Sequence, residues 1–248
     1  MNLDRIIALN NNRIIYRNGD QCIKVFSTDF ARTDVLNEAL NHSRMADEGL
    51  SVPQLMEVTT VNGKWAIVME YIRGKSLEQM LAEGTITPEK ALQLLTDLQL
   101  KVHRIRCPLM RSLSDDVRHK LRKAKLSPAL QAKMFVALET LQMDDHVCHG
   151  DMTPVNIMIA RDGTPYILGW AHANRGDTIL DAAFTRIRFL MKGEKELADK
   201  YTALFCEKQH LPHSAVLEKT PLAAAALYHD CSKSDRQFLL DFMKQAGC

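Results

Sequence analysis

No Cys-x-x-Cys pair, no apolar run long enough to cross a bilayer and no stretch of clustered Lys/Arg long enough for a nucleic-acid surface occurs in this chain of 248 residues. Each absence excludes a class of function. Lysine and arginine total 32 against 30 acidic residues, a formal net charge of +2, which argues against a dedicated nucleic-acid surface. The lack of a long apolar stretch leaves no membrane span to read. Met1-Asn-Leu-Asp-Arg does not look like a signal peptide, so a cytoplasmic protein is expected. The six cysteines, Cys22, Cys107, Cys148, Cys206, Cys231 and Cys248, stand far apart and read as reduced thiols. Cys206, His210, His213, His229 and Cys231 are zinc-type side chains within a short span. Their spacing forms no tight ligand pair, and a zinc-stabilised interaction module is the weakest reading of this chain. Repeats and low-complexity segments are absent too. What remains is the composition of an ordinary globular protein, 46% apolar and 25% charged, with length enough for a substantial core in one domain or two lobes.

What is present centres on residues 147–181. The apolar pair Val147-Cys148 leads into a tight polar loop, His149-Gly150-Asp151, and Asn156 follows. A short apolar hairpin comes next, Ile157 to Ile159 and Tyr166 to Leu168, turned by Asp162-Gly163. Phosphoryl transfer from ATP uses such a layout. One carboxylate orients the attacking hydroxyl, an amide oxygen holds a metal ion, and a second carboxylate after the hairpin holds another. Asp151 and Asn156 supply the first two. Gly169 stands where the second carboxylate belongs.

The chain begins with three antiparallel strands, Arg5 to Leu9, Arg13 to Tyr16 and Gln21 to Phe26, with a turn at Asn10-Asn11-Asn12 and another at Asn18-Gly19. Lys24 interrupts the apolar third strand, so it must either reach solvent along its stem or meet an anion. A helix over Asp34 to Glu48 follows, apolar at Val35, Leu36, Ala39 and Leu40 and ended by Gly49, and Glu38 adjoins its stripe. Lys24 with Glu38 reads as a phosphate-gripping lysine and the glutamate that holds it. Two further strands, Leu55 to Val61 and Lys64 to Tyr71, join at Asn62-Gly63.

His149-Gly150-Asp151 with Asn156 resembles the catalytic loop of the aminoglycoside phosphotransferase and choline kinase families, which share the protein-kinase fold. Ile-Asp-Trp usually follows the hairpin in those families; here it is Leu168-Gly169-Trp170. The resemblance covers about Arg5 to Asp181. It implies an α+β, two-lobed fold, with a nucleotide-binding lobe over residues 1–72 and a mainly helical catalytic and substrate-binding lobe over 73–248. It further implies ATP and magnesium as cofactors and a hydroxyl-bearing small molecule as the acceptor. Asp151 would be the base, with His149 bracing its loop and Asn156 on the metal. Glu70 and Ile72 lie at the hinge, where main-chain groups would meet the adenine edge, and Ile159 on the hairpin belongs to the same set. The turn between the first two strands lacks the glycine expected of a phosphate cover.

Gly169 leaves three explanations open. The protein has become a pseudokinase, binding nucleotide as a binding or scaffold protein; or another carboxylate, Asp177 being nearest, reaches the metal; or the glycine is an introduced change. Asp181, at the start of a helix, resembles the structural aspartate of those families, a cap rather than a metal ligand. Beyond the hinge, helices are expected from Ser76 to Ala82, Thr87-Pro88 to Arg104, Ser114 to Lys125, Ser127-Pro128 to Leu141, and at 179–192, 194–209, 214–228 and 233–246. His103, on the last turn of the second, reads as a core residue or a helix-end contact. From Tyr201 onward five acidic residues face five basic ones. That balance does not suit a polycationic acceptor.

Overall fold

A computed structural model describes residues 5–10, 12–229 and 231–245. Asn11 of the first expected turn, Asp230, the last residue of the expected final helix and Cys248 lie outside them. In chain order the elements are β1 (Arg5–Asn10), β2 (Arg13–Asn18), β3 (Gln21–Phe26), α1 (Arg32–Asp47), β4 (Leu55–Val61), β5 (Lys64–Glu70), β6 (Gly74–Ser76) and α2 (Leu77–Ala82). There follow α3 (Pro88–His103), α4 (Leu113–Lys123), α5 (Pro128–Glu139), β7 (Val147–Cys148), β8 (Ile157–Ala160), β9 (Pro165–Ile167) and β10 (Asn174–Arg175). The chain ends in α6 (Thr178–Met191), α7 (Lys195–Gln209), α8 (Ser214–Leu227) and α9 (Lys233–Gln245). No helix among the described residues is long and apolar enough to cross a membrane.

The chain divides into two compact units, and neither is a continuous stretch. The first runs to Thr85 and includes Pro154–Ala173; the second comprises Ile86–Thr153 and the chain from Asn174. The sequence suggested one cut near Ile72 to Gly74. The difference has a physical cause in β6. Its register on β8, Gly74 with Ala160 and Ser76 with Met158, ties the segment after the hinge to the later hairpin. The approach is so close that a Cβ on Gly74 would fall 1.9 Å from the Ile159 carbonyl oxygen, and only glycine fits. Ile167 N–H also donates to Ser51 O at 2.9 Å, fastening β9 to the first unit.

In that unit the five-stranded antiparallel sheet has the order β1-β2-β3-β5-β4. Side chains alternate along β3, as the two-residue strand period requires. Ile23 and Val25 join Val61, Ala66 and Val68 on one face. Phe26 packs on the other with Ile67 and with Val35 and Ala39 of α1. Lys24 shares that second face, so the alternation alone turns it towards the helix. The buried side of α1 is nevertheless less apolar than its sequence suggests. Glu38, Asn41 and His42 are buried, whereas Leu36 and Leu40 are about half exposed.

The helices of the second unit start where their caps indicate. Thr87, Ser112 and Ser127 each accept a hydrogen bond from the main chain three residues on, and proline opens α3 and α5. α6 forms the centre, packed on α7 and α8, and α3 packs on α7. Its residues from Leu180 to Ile187 are all buried.

Candidate functional site

Within the first unit, Lys24 Nζ and Glu38 Oε1 form an ion pair, both side chains almost entirely buried. Burial pushes the Lys24 ammonium down and Glu38 opposes it, leaving the group below the ordinary lysine range. Glu38 Oε2 is buried with no hydrogen-bond partner among the described residues. One turn along α1, Asn41 Nδ2 donates to Trp170 O at 3.3 Å and to Ala173 O at 3.0 Å. Two carbonyl acceptors fix the orientation of that amide. The Lys24 partner and the segment following Gly169 are therefore held by the same helix. His42 Nε2 meets Pro53 O at 2.5 Å on the same side.

Asn156 closes a short 3-10 turn after Pro154, and its carbonyl accepts from Leu168 N at 2.8 Å across the base of the hairpin. Gly169 follows with φ of +81°, and a Cβ there would stand 2.9 Å from Asn156 Oδ1. Positions 156 and 169 thus face each other, as a pair of metal ligands would, but only one has a side chain. Glu70 ends β5, and its carboxylate accepts from Gln54 N at 3.2 Å while its own N–H donates to Gln54 O. It is the last residue of the strand, which stops one residue short of the expected Tyr71. Ile72 is buried just beyond it, and Ile159 sits half-buried on β8 opposite Lys75.

Within the second unit the loop carrying Asp151 is fixed from behind. Gly150 N–H donates to Asp181 Oδ1 at 2.6 Å, and Asp181 Oδ2 lies 2.8 Å from His103 Nε2 and 3.0 Å from Gln99 Nε2. Gln99 also donates to Thr185 Oγ1 at 3.2 Å and accepts from Tyr201 OH at 2.5 Å. All of these side chains are buried. Burial pushes the Asp181 carboxyl up, but His103, Gln99 and the Gly150 amide outweigh it and hold the group below the usual carboxylate range. His149 is fully buried, and its Nδ1 accepts from Asp151 N at 3.2 Å, so the ring braces the loop through the tautomer protonated on Nε2. Asp151 itself keeps some exposure and lies 3.0 Å from Arg188 Nε.

The capping role falls to Asp177 and not to Asp181. Asp177, which the sequence offered as a substitute metal ligand, is the N-cap of α6. Its Oδ1 accepts from Ile179 N and Leu180 N, and its Oδ2 from Gln142 N and Lys219 Nζ. With both oxygens taken by protein donors it is not placed as a ligand. Asp181 is structural, as the sequence suggested, but it holds the loop and does not cap the helix. Gln99 and His103 were available as a signal, because they interrupt the buried stripe of Leu92 and Leu95 on α3. Arg188 left no trace in the sequence that would distinguish it from other charges on α6. Among the described residues no group of three or more His, Cys, Asp or Glu gathers as a metal site, Cys206 to Cys231 included.

The family model described as phosphotransferase enzyme family matches residues 8–216. The chain belongs to that family. No curated protein sequence matches it significantly. Among solved structures it resembles choline kinase LicA from Streptococcus pneumoniae, at 12% identity and a TM-score of 0.67, over 99% of this chain and 94% of that one. It resembles a type VIII aminoglycoside-3'-phosphotransferase at 17% identity and 0.66, over 91% and 92%. A choline/ethanolamine kinase family protein from Mesorhizobium loti gives 15% and 0.65, over 99% and 88%. These likenesses show a kinase-like α+β fold for this member of the phosphotransferase family.

Two stability predictions follow from the buried charges. Lys24→Met strands the Glu38 carboxylate and should cost about 3–5 kcal/mol, whereas Lys24→Met with Glu38→Leu should recover most of that loss. Denaturant melts of the two variants check this; a double variant no more stable than the single one would show that the pair is not the cause. Asp181→Asn should cost a similar amount at neutral pH. Because the folded Asp181 titrates below its unfolded value, its contribution is complete above about pH 4 and fades as pH falls through the folded value. The stability gap between wild type and Asp181→Asn should therefore narrow below about pH 4, and a gap constant down to acid unfolding would contradict the assignment.

Proposed function

We propose that this phosphotransferase-family protein moves the γ-phosphoryl group of ATP to a hydroxyl of a small molecule. The observation that carries the reading is the pinned loop. Asp181 fixes Gly150, His149 fixes the Asp151 amide, and the Asp151 carboxylate is left partly exposed. A carboxylate held so firmly by its main chain and still open to solvent suits a group that must meet an incoming hydroxyl.

Asp151 orients the acceptor hydroxyl and takes its proton as the acceptor oxygen bonds to the γ-phosphorus and the bond from that phosphorus to the bridging oxygen breaks. Lys24, seated by Glu38, meets phosphate oxygens, and the negative charge of the nucleotide favours its protonated form. The nucleotide reading is supported by relatives of the same fold. LicA was crystallised with AMP, and aminoglycoside phosphotransferases with ADP and with AMP-PNP together with hygromycin B.

Magnesium fits less well. A hard dication prefers charged oxygens in a tight array. Position 169 offers no side chain, Asn156 offers a neutral amide, and Asp177 is occupied as a cap.

Asp151→Asn should lower ATP-dependent phosphorylation across a panel of hydroxylated metabolites by about 10²–10⁴-fold, with the ATP-induced rise in melting temperature retained. A nucleotide-induced shift without turnover in the wild type would leave nucleotide binding standing and overturn the transfer. Gly169→Asp tests the missing ligand. Aspartate tolerates positive φ better than most residues, so the variant should fold and gain a magnesium-dependent melting shift with ATP larger than the wild type's. An identical shift would place any metal contact elsewhere.

A further inference from the structure

α6 presents three polar side chains along one side of its length: Asp181, Thr185 and Arg188, spaced one helical turn apart. The first two belong to the network that holds Gly150. The third reaches Asp151. Arg188 Nε stands 3.0 Å from Asp151 Oδ1, yet its N–H does not point along that line, and Nε has no hydrogen-bond acceptor among the described residues although it is buried. The contact is therefore one of charge and not a directed bond. A buried N–H without an acceptor is costly, and a water or a ligand is one common way such a group is satisfied.

Arg186, two residues earlier, shows what a structural arginine on this helix looks like. Its Nε is orphaned too, but its terminal nitrogens are fully engaged: Nη1 donates to Ala198 O at 3.0 Å and to Thr202 Oγ1 at 2.9 Å, and Nη2 lies 2.9 Å from Asp199. Arg188 shows no such anchorage among the described residues. Its side chain is 28% exposed, and its partner is the carboxylate to which the acceptor must come.

We propose that Arg188 binds an anionic group, a carboxylate or a phosphate ester, on the acceptor, beside the hydroxyl that Asp151 orients. This rests on the reading of Asp151 above. A planar guanidinium suits both anions, because its forked donors match their paired oxygens. The same cation repels an ammonium brought to Asp151, and the balanced charge of the chain from Tyr201 onward supplies no acidic counterweight. The acceptor is thus an acidic hydroxy compound and not an amino-alcohol or aminoglycoside.

The test uses four small probes: glycerate, glycerol 3-phosphate, glycerol and ethanolamine. Each is titrated calorimetrically into the full-length protein at low salt, and each is then offered as an acceptor with ATP. One or both anions should bind at least tenfold more tightly than glycerol, the stronger of the two naming the class, and ethanolamine should bind no better than glycerol. Arg188→Gln should abolish the preference, and Arg188→Lys should keep part of it. Asp151→Asn should tighten anion binding severalfold, since it removes the carboxylate that competes for the guanidinium; an anion site elsewhere would not respond. A preference for ethanolamine, an anion preference that survives Arg188→Gln in a variant melting like wild type, or indifference to Asp151→Asn overturns the proposal. Its failure is separable from that of the transfer reading. Anion binding through Arg188 with no phosphorylation of any acceptor sinks the transfer and spares the site. Phosphorylation of glycerol or ethanolamine with a KM unmoved by Arg188→Gln does the reverse.

Discussion

The Asp181 carboxylate is the constraint on which the second unit turns. An ionised group with no access to solvent is tolerated only when its oxygens are met by donors. Asp181 meets that requirement by drawing three donors from two separate places: the Gly150 amide of the loop, and Gln99 and His103 of α3. Gln99 then needs its own partners and finds Thr185 and Tyr201. Two of the donors are positioned by the packing of α3, so the carboxylate converts helix packing into a fixed location for one loop amide. Asp151 is the next residue. Its backbone cannot drift without leaving a buried charge short of a donor, and that penalty is what makes the loop rigid.

α1 does the equivalent for the first unit by less economical means. Its packed side buries Glu38, Asn41 and His42 where leucines were available on the same helix and are left half exposed. On stability alone the opposite arrangement would be preferred. The choice makes sense if the helix must present partners: Glu38 to Lys24, Asn41 to the carbonyls of Trp170 and Ala173, and His42 to Pro53. The orphaned Glu38 Oε2 and Asn41 Oδ1 are the remaining cost. A local departure from the best core, concentrated where charge is held, is the pattern expected of a functional site.

Much of this was legible before any coordinates. Strands with alternating side chains, asparagine-glycine turns and Ser/Thr-Pro helix starts are local signals, and β1 to β5 and α1 to α9 lie where those signals put them, within a few residues. Lys24 and Glu38 were readable as a pair because the two-residue strand period and the helical stripe each fix a direction. Long-range identities were not readable. Whether Asp177 or Asp181 caps α6 depends on which one finds Gln142 and Lys219 and which one finds Gly150, Gln99 and His103. Those partners come from elements far off in the chain. The composition of the two units escaped the sequence for a similar reason. β6 is only three residues long, with no periodicity to announce it, yet its pairing with β8 carries the hairpin into the first unit.

Gly169 can be read from its backbone as well as from its missing side chain. At φ of +81° an ordinary L-residue is strained by about 1–2 kcal/mol, and a side chain beginning 2.9 Å from Asn156 Oδ1 must also displace that amide. Alanine, serine or valine would therefore bend the turn and loosen the hold that Asn41 has on Trp170 and Ala173. Aspartate and asparagine tolerate this conformation, and glycine adopts it freely. Of the residues that remove a carboxylate from this position, glycine is the one that leaves the turn, the hairpin and the contact with α1 undisturbed. The backbone at 169 is thus one on which an aspartate could also stand.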